Sequence, residues 1–146
     1  MKKIVILLLI LFLTGCSKYV TCTINLDSDT LGYKLDAKYK IYYKGKRVTQ
    51  IVKEENYIAH TKTTYKYIKE SKELEYSMLS SAYGGYDYKM DTTNTGIKLK
   101  ATINTNDLDV KKMVKDKVID KYYTSGNEIL LSGLKKHYES MSAICK

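Results

Sequence analysis

Residues 35–52, LDAKYKIYYKGKRVTQIV, contain the pattern that decides the fold. In the first half of this stretch, apolar and aromatic side chains occupy every second position, at Leu35, Ala37, Tyr39, Ile41 and Tyr43. A period of two with one apolar face is typical of a half-buried β-strand. Lys44-Gly45 supplies a tight turn, because glycine tolerates positive φ, and Arg47 to Val52 returns as the partner strand. The stretch therefore predicts an antiparallel β-hairpin.

Three other segments alternate in the same way. Tyr19 to Leu26 predicts a leading strand whose inward face contains Val20, Cys22, Ile24 and Leu26. Tyr86 to Met90 and Ile97 to Ile103 predict a second hairpin around a turn at Asp91 to Gly96. Together with the first hairpin, these segments predict about five antiparallel strands.

From Thr64 to Tyr83 the apolar spacing lengthens to that of an α-helix. Steps of three and four residues place one stripe along this helix, formed by Tyr67, Ser71, Leu74, Met78 and Ala82. Thr63 or Thr64 can cap the start of the helix, and Gly84-Gly85 ends it. We expect the stripe to pack against the sheet.

Two further helices are predicted in the C-terminal part of the chain. One is a short helix from Asp107 to Lys115, capped by Asp107, and the other opens at Ser125-Gly126-Asn127 and runs to about Ser140. The apolar stripe of the final helix consists of Leu130 or Leu131, Leu134, Tyr138 and Met141.

These elements predict an α+β fold. An antiparallel sheet of about five strands, made of two hairpins plus a leading strand, is packed by one long and one C-terminal helix. The aromatic residues are 15 tyrosines, one phenylalanine and no tryptophan. Tyrosine at strand positions is expected to keep its ring inside the protein and its hydroxyl at the rim.

The first sixteen residues determine the expected location of the protein. Met1-Lys2-Lys3 is a basic start, and Ile4 to Leu13 is an apolar run of ten residues. Spanning a bilayer as a helix takes roughly 20 apolar residues, so this run is typical of a cleaved secretory signal peptide. Leu13-Thr14-Gly15-Cys16 follows directly and resembles the lipobox of bacterial lipoproteins.

The lipobox resemblance implies that the Cys16 thiol is joined to diacylglycerol and that the peptide bond before it is cleaved. Residues 1–15 are then a lipoprotein signal peptide, and residues 16–146 form a single mature lipid-anchored domain. Two or more acyl chains hold a protein firmly, so we expect Cys16 to anchor the domain at the extracytoplasmic face of the cell membrane. The alternative is a buried N-terminal helix with a chance cysteine.

Charge limits the classes of partner. The two lysines within residues 1–15 leave 23 basic and 16 acidic residues in the mature chain, a net charge of +7. This surface favours anionic lipid headgroups or anionic wall polymers, and its alternative is a solvated lysine face. We expect no nucleic acid partner, since Arg47 is the single arginine and phosphate and guanine recognition favour arginine. The sequence identifies no protein partner.

The cysteines predict one disulfide bond. With Cys16 consumed by lipid, Cys22 and Cys145 remain, and an even number of thiols tends to pair in an oxidising compartment. A bond between them would pin the C-terminal tail to the first strand. The alternative is two separate thiols, one of them buried and the other at a frayed end. A redox or nucleophilic role needs a C-x-x-C partner or an activated thiol, and neither is visible.

The sequence predicts neither a catalytic site nor a metal or cofactor site, so we expect the protein not to be an enzyme. His60 and His137 are the only histidines, and each lacks a second ligand at metal-binding spacing. The stretch from Asp91 onward departs from a calcium loop, because Thr102 stands where glutamate is needed. No nucleophile-elbow motif occurs.

Several stretches taken together resemble a known family. They are the lipobox, the hairpin KYKIYYKGKRV at residues 38–48, the hairpin from Tyr86 to Ile103, and the ending Tyr138-Glu139-Ser140-Met141 with Cys145-Lys146. In this order they are similar to the YehR-like family of small bacterial lipoproteins over most of the mature chain. The resemblance implies an α+β lipoprotein domain of uncharacterised function and carries over no catalytic residues. Lys46 and Arg47 replace the acid–lysine pair that is common in the family's first hairpin.

These observations predict a non-enzymatic, lipid-anchored surface lipoprotein that acts as a small binding or interaction module. The tyrosine-rich, lysine-studded faces of the two hairpins are its predicted contact surface. Two alternatives stay open. One is a thiol-handling envelope protein that uses Cys22 or Cys145, and the other is an accessory solute-binding lipoprotein of a transporter.

Overall fold

An antiparallel sheet forms the framework of the structure, a computed structural model that describes residues 18–146. The predicted signal peptide and Cys16 lie outside the described residues. The strands are β1 Lys18–Ser28, β2 Tyr33–Lys44, β3 Arg47–Ala59, β4 Tyr86–Thr92, β5 Gly96–Asn104, β6 Thr124–Ser125, β7 Glu128–Ile129 and β8 Ile144–Cys145. Six of them form the main sheet in the order β4-β5-β3-β2-β1-β8, and β6 pairs with β7.

Helices pack on one face of this sheet. Over residues 18–146 they are α1 Lys62–Tyr83, α2 Val110–Lys115 and α3 Leu131–Ser140, with short 3-10 turns at Thr105–Asp107 and Lys121–Tyr123. The predicted α+β class is confirmed. The main sheet has six strands rather than about five because β8, at two residues, is too short to show an alternating pattern.

The β2–β3 hairpin lies at the centre of the sheet, as its alternation predicts. Pairing runs from Tyr33 opposite Ala59 to Lys44 opposite Arg47, with a register shift next to Tyr43. Gly45 makes the turn at a φ of 62°. The inward faces of β2 and β5 supply much of the core, namely Leu35, Ala37, Tyr39, Ile41, Ile97, Leu99, Ala101 and Ile103.

The opposite face of the sheet, the outer face, is polar. It carries Lys38 and Lys40 from the first hairpin and Lys98 and Lys100 from the second, at positions that alternate with core residues. The same alternation turns Tyr39 inward, onto the helix-covered side. The lysines and tyrosines of the predicted contact surface therefore lie on opposite faces of the sheet. These lysines are on the outer face, and most strand tyrosines are on the face that the helices cover.

The prediction of which face of α1 packs against the sheet is wrong. Tyr67, Leu74 and Met78 are 71%, 61% and 58% exposed, whereas Ile68 and Tyr76 are buried. A second stripe at helical spacing makes the contact with the sheet, and it consists of Tyr65, Ile68, Lys72, Tyr76, Leu79 and Tyr83. Lys72 is a charged residue in the middle of this stripe, so the sequence does not show the stripe as a continuous apolar face. Its ammonium lies 5.8 Å from the centre of the Tyr57 ring and 2.8 Å from Glu75.

The ends of α1 follow ordinary capping rules. The side chain of Thr61, rather than Thr63 or Thr64, caps the helix by accepting a hydrogen bond from the Thr64 N–H at 3.1 Å. At the other end, Gly84 has a φ of 68° and terminates the helix as predicted.

The two C-terminal helices begin later than predicted. Asp109, not Asp107, caps α2, because its carboxylate accepts a hydrogen bond from the Lys112 N–H at 2.9 Å. Residues 125–127 do not open a helix: Ser125 ends β6, and Gly126 and Asn127 form the turn to β7, where Gly126 has a φ of 62°. The final helix, α3, therefore starts at Leu131.

α3 packs by its predicted stripe over most of its length. Leu134 and Tyr138 are buried, but Met141 is exposed. Gly133 permits a close approach to the Lys121–Tyr123 turn, since a Cβ atom at this position would lie 2.6 Å from the Cα of Tyr123. A larger side chain there would push α3 away from this turn.

The predicted disulfide bond is present between Cys22 and Cys145, whose Cα atoms lie 4.0 Å apart. Cys145 belongs to β8, which pairs with Cys22 and Thr23 of β1. Thr21 and Lys146 exchange two backbone hydrogen bonds of 2.8 Å each beside it. The alternative of two separate thiols is therefore wrong, and the C-terminal end of the chain is an edge strand of the main sheet.

We predict that removing the disulfide destabilises the domain strongly. The two cysteines are 123 residues apart, and the chain-entropy model assigns a loop of this length about 5 kcal/mol. We therefore expect a C22A/C145A variant to lose about that much free energy of unfolding, measured by urea denaturation. Oxidised wild type and its form reduced by dithiothreitol provide the matched comparison. Equal midpoints for the oxidised and disulfide-free proteins would contradict this account of the bond.

Candidate functional site

A cavity lies between the sheet and the helices, with a volume of about 390 Å³, and we call it the inner pocket. Ligand sites commonly measure about 300–1,000 Å³ and are mostly apolar with a few polar groups. The apolar lining of the inner pocket consists of Ile51, Leu79, Ile103, Leu108, Met113, Val118, Ile119, Ile129 and Leu134. Its size and lining are those of a site for a small, largely apolar molecule.

Each wall of the inner pocket comes from a different element. β3 contributes Ile51 and Lys53, because alternation turns both side chains toward the helices. α1 contributes Glu75, and α3 contributes His137 and Tyr138. These polar and aromatic groups meet at the pocket although they lie far apart in the sequence.

Lys53 and His137 are the basic side chains that line the pocket, and Glu75 and Asp120 are the acidic ones. Burial, together with the positive charge of Lys53, lowers the pKa of His137 below its ordinary value of 6.5. His137 is therefore neutral at pH 7, and its ring can donate or accept a hydrogen bond, while Lys53 carries the positive charge. An acidic group on a bound molecule would be favoured next to this lysine.

A buried carboxylate, that of Glu55, lies two residues after Lys53 on the same inward face of β3. Glu55 is 7% exposed, and its two oxygens accept hydrogen bonds from the Tyr39 hydroxyl at 3.1 Å and the Tyr57 hydroxyl at 2.9 Å. The Tyr39 ring in turn stacks on Tyr138, with ring centroids 4.4 Å apart and planes 13° from parallel. Since Tyr138 lines the inner pocket, this network holds one wall of the pocket in place.

The hydroxyls of this network act as hydrogen-bond donors. Burial raises the pKa of Tyr39 and of Tyr57, and the nearby negative charge of Glu55 raises both further. Both phenols consequently stay protonated over the physiological pH range. The expectation that strand tyrosines place their hydroxyls at the rim is wrong here, because Glu55 supplies an acceptor inside the core.

Lys53 and Tyr76 lie next to the same network. The Lys53 ammonium lies 5.8 Å from the ring centroids of both Tyr39 and Tyr76, within the range of cation–π attraction. The Tyr76 hydroxyl is buried and has no hydrogen-bond partner among the described residues. Burial raises the pKa of Tyr76 as well, so its hydroxyl remains protonated.

The outer face contains a larger but open concavity of about 720 Å³. Two of the carboxylates that line it are paired: Glu54 lies 3.4 Å from Lys100, and Asp36 lies 3.8 Å from Lys34, which is outside the concavity. Charges neutralised in this way offer little to an ionic ligand. The inner pocket is lined mainly by apolar side chains, with Lys53, Glu75 and Asp120 among them, and Glu75 is already paired with Lys72 at 2.8 Å. We therefore consider the inner pocket the better candidate site.

The structure places the predicted site residues as follows. Cys16 lies outside the described residues, and Cys22 and Cys145 are bonded to each other. His60 lies 3.4 Å from Asp27, whereas His137 lies at the inner pocket. Across residues 18–146, no group of three or more His, Cys, Asp or Glu side chains is arranged to hold a metal ion.

Sequence reasoning missed Lys53 and Glu55, the two charged residues on which the candidate site depends. The predicted partner strand ended at Val52, because the polar run Lys53-Glu54-Glu55-Asn56 follows it. Tyr57 and Ala59 continue the apolar alternation beyond this run, and they would have extended the strand. Counting back from Ala59 in steps of two places Glu55 and Lys53 on the inward face.

Comparisons with known proteins bear on the fold. No protein-family model and no curated protein matches the chain. The NMR structure of a protein from Streptococcus pneumoniae TIGR4 is similar, with a TM-score of 0.51 and 16% identity, and covers 91% of this chain and 88% of that one. The NMR structure of E. coli YehR has a TM-score of 0.56 and 16% identity, and covers 90% of this chain and 93% of that one. The chain thus has a YehR-like fold, and the likeness extends to the fold alone.

We predict that Glu55 is essential for stability because of its two tyrosine partners. An E55A variant leaves two buried hydroxyls without this acceptor, at about 1–3 kcal/mol each, so we expect a loss of about 2–6 kcal/mol in free energy of unfolding. E55Q retains one acceptor and one donor for the hydroxyls and should lose less than about 1.5 kcal/mol.

Urea denaturation followed by circular dichroism measures both variants. E54A is the matched control, since Glu54 is exposed and its pair with Lys100 at the surface is worth at most about 1 kcal/mol. If E55A were no more destabilising than E54A, the buried network would not have the role assigned to it.

Proposed function

We propose that this protein is an exported, lipid-anchored lipoprotein whose mature domain, residues 16–146, binds a small molecule in the inner pocket without catalysing a reaction. The lipobox at Leu13–Cys16, after a basic start and an apolar run, supports export and anchoring. β1 begins at Lys18, so the folded domain follows Cys16 after a single intervening residue. The domain is accordingly expected at the extracytoplasmic face of the cell membrane.

The disulfide bond supports export as well. Disulfides persist in oxidising compartments, and the Cys22 side chain is fully buried within a paired strand. A thiol-handling protein needs an accessible, activated sulfur. Because the Cys22 half of the bond is fully buried, a structural role for Cys22 and Cys145 is favoured over the thiol-handling alternative.

No helix within residues 18–146 has the length and apolar character needed to cross a bilayer.

The binding role is carried by one observation, the position of Lys53 beside the apolar wall of the inner pocket. Lys53 and the neutral ring of His137 favour a ligand with an apolar body and one acidic group held at the Lys53 side of the pocket, away from the carboxylates of Glu75 and Asp120. Glu55 is fully engaged by two tyrosine hydroxyls, which favours a structural role for this acid over a catalytic one. A solute-binding lipoprotein is the description that this site supports best.

We predict that Cys16 is the site of lipid attachment. Cells expressing the wild-type chain and grown with radiolabelled palmitate should yield a labelled protein, because the lipobox chemistry requires the Cys16 thiol. A Cys16→Ser variant should remain unlabelled and keep residues 1–15. Equal incorporation into both proteins would exclude Cys16 as the acylated residue.

We predict that the anionic probe 8-anilinonaphthalene-1-sulfonate binds in the inner pocket with its sulfonate near Lys53. A K53M variant keeps an unbranched side chain but loses the charge, and we expect its affinity to fall about tenfold or more. K98M is the matched control, since Lys98 lies on the outer face, and its affinity should equal that of the wild type.

Fluorescence titration of the probe measures these affinities, and near-ultraviolet circular dichroism checks that each variant is folded. Affinity should also rise as the pH falls below 6.5, because protonation of His137, whose pKa is lowered, adds a second positive charge. An H137N variant should lose this pH dependence. Equal weakening by K53M and K98M would place the probe elsewhere.

A further inference from the structure

Lysines gather at the end of the domain where β1 begins. Lys18 lies opposite Tyr43 in the antiparallel register, so the start of β1 lies beside the β2–β3 turn. Lys44 ends β2 just before this turn, and Lys46 lies in it. Lys18, Lys44 and Lys46 are exposed. The start of α3 reaches the same end, since the Leu131 N–H donates a hydrogen bond of 2.9 Å to the Lys46 carbonyl. We call this region the basic end.

α3 adds two more cations to the basic end. Lys135 and Lys136 line a concavity together with Lys46, and Glu139 is the acidic residue in its lining. The nearby Arg47 is paired with Glu128 at 3.1 Å. Positive charge is therefore in excess at this end.

The opposite end of β1 has acidic residues. Asp27 ends this strand together with Ser28, and Asp29 follows in the turn. Both carboxylates approach His60, at 3.4 and 3.7 Å. Charge is thus graded along β1, from basic at its start to acidic at its end.

An exposed tyrosine lies within the basic end. Tyr19 is 55% exposed, and its ring centroid lies 5.6 Å from that of Tyr42 on the neighbouring strand. The Lys40 ammonium lies 5.6 Å from the Tyr19 ring. Tyrosine and lysine are enriched where proteins meet the headgroup layer of a bilayer, because each combines an apolar body with a polar tip.

The short tether limits how far the start of β1 can lie from the membrane. Two residue steps separate Cys16 from Lys18, and a fully extended chain spans about 7 Å over two residues. This reach is shorter than the Debye length of about 8 Å at physiological ionic strength. The lysines next to Lys18, on strands about 5 Å apart, would therefore feel the charge of the headgroups with little screening.

We propose that the basic end is a docking surface for anionic phospholipid headgroups, and that it orients the domain with its acidic end pointing away from the membrane. The proposal rests on the lipidation of Cys16 proposed above. It goes further, because the tether keeps the start of β1 near the membrane but leaves the domain free to pivot about that point. An anionic wall polymer could approach any side of the domain, whereas the tether holds this end at the headgroups.

The test uses the lipidated protein with a Tyr19→Trp substitution, which introduces the only tryptophan of the chain. Intact mass first establishes that Cys16 carries its lipid, so a failure of the proposed function is detected separately. The protein is placed in vesicles of phosphatidylcholine, with or without phosphatidylglycerol, that contain brominated lipids as fluorescence quenchers. Since the tether already keeps residue 19 near the surface, we expect some quenching in both kinds of vesicle and clearly stronger quenching when phosphatidylglycerol is present.

Replacing Lys18, Lys44 and Lys46 with glutamine should reduce the docked fraction. Each lysine near an anionic surface contributes about fivefold, so the ratio of docked to undocked protein should fall on the order of 100-fold. The matched control replaces Lys62, Lys66 and Lys98, which are exposed elsewhere, and should retain quenching.

Two results would overturn the proposal. One is quenching that is the same in both kinds of vesicle or is lost equally in the two triple variants. The other is displacement of the tryptophan from phosphatidylglycerol vesicles by soluble poly(glycerol phosphate), which would identify the basic end as a wall-polymer site instead.

Discussion

The hydrogen bonds from Tyr39 and Tyr57 to the buried carboxylate of Glu55 are the interaction on which the rest of the domain depends. A carboxylate in a core is costly unless donors satisfy it. Phenylalanine could not meet this need, which gives a physical reason for tyrosine at both positions. Because Tyr39 also stacks on Tyr138, the same network joins the centre of the sheet to α3. A polar interaction thus determines how the sheet and the C-terminal helix fit together.

α3 is attached to the sheet at both of its ends. At its start, Leu131 bonds to the β2–β3 turn, and after its end β8 pairs with β1 and is held by the disulfide. The inner pocket lies between this helix and the sheet. It is present in the structure as it stands, without any displacement of α3. Its walls come from segments separated by most of the chain, and these two attachments keep them together. The same geometry brings the start of α3 close to the start of β1, where the proposed membrane contact lies.

Local periodicity was sufficient to predict the two hairpins, the leading strand and the length of α1, since each is encoded over adjacent residues. The Cys22–Cys145 bond could also be predicted, because few cysteines are available to pair. The buried face of α1 could not be predicted, because the sequence contains two apolar stripes at helical spacing. Only the tertiary fold shows that the stripe containing Ile68 and Tyr76 packs against the sheet. Lys53 and Glu55 were missed for a related reason. In a sequence, charged residues at inward positions of a strand indicate that the strand has ended. They are recognised as part of the strand only when the residues from other elements that pair with them are known.

The central claim is that an exported domain, closed by one disulfide, is held at the membrane by lipid on Cys16. Intact mass spectrometry of the protein purified from the envelope of its own cell tests this claim most directly. We predict one main species that begins at Cys16, carries a diacylglyceryl group with or without a further acyl chain, and is two hydrogens lighter than its reduced form. A species that begins at Met1, without lipid and with free thiols, would contradict the account.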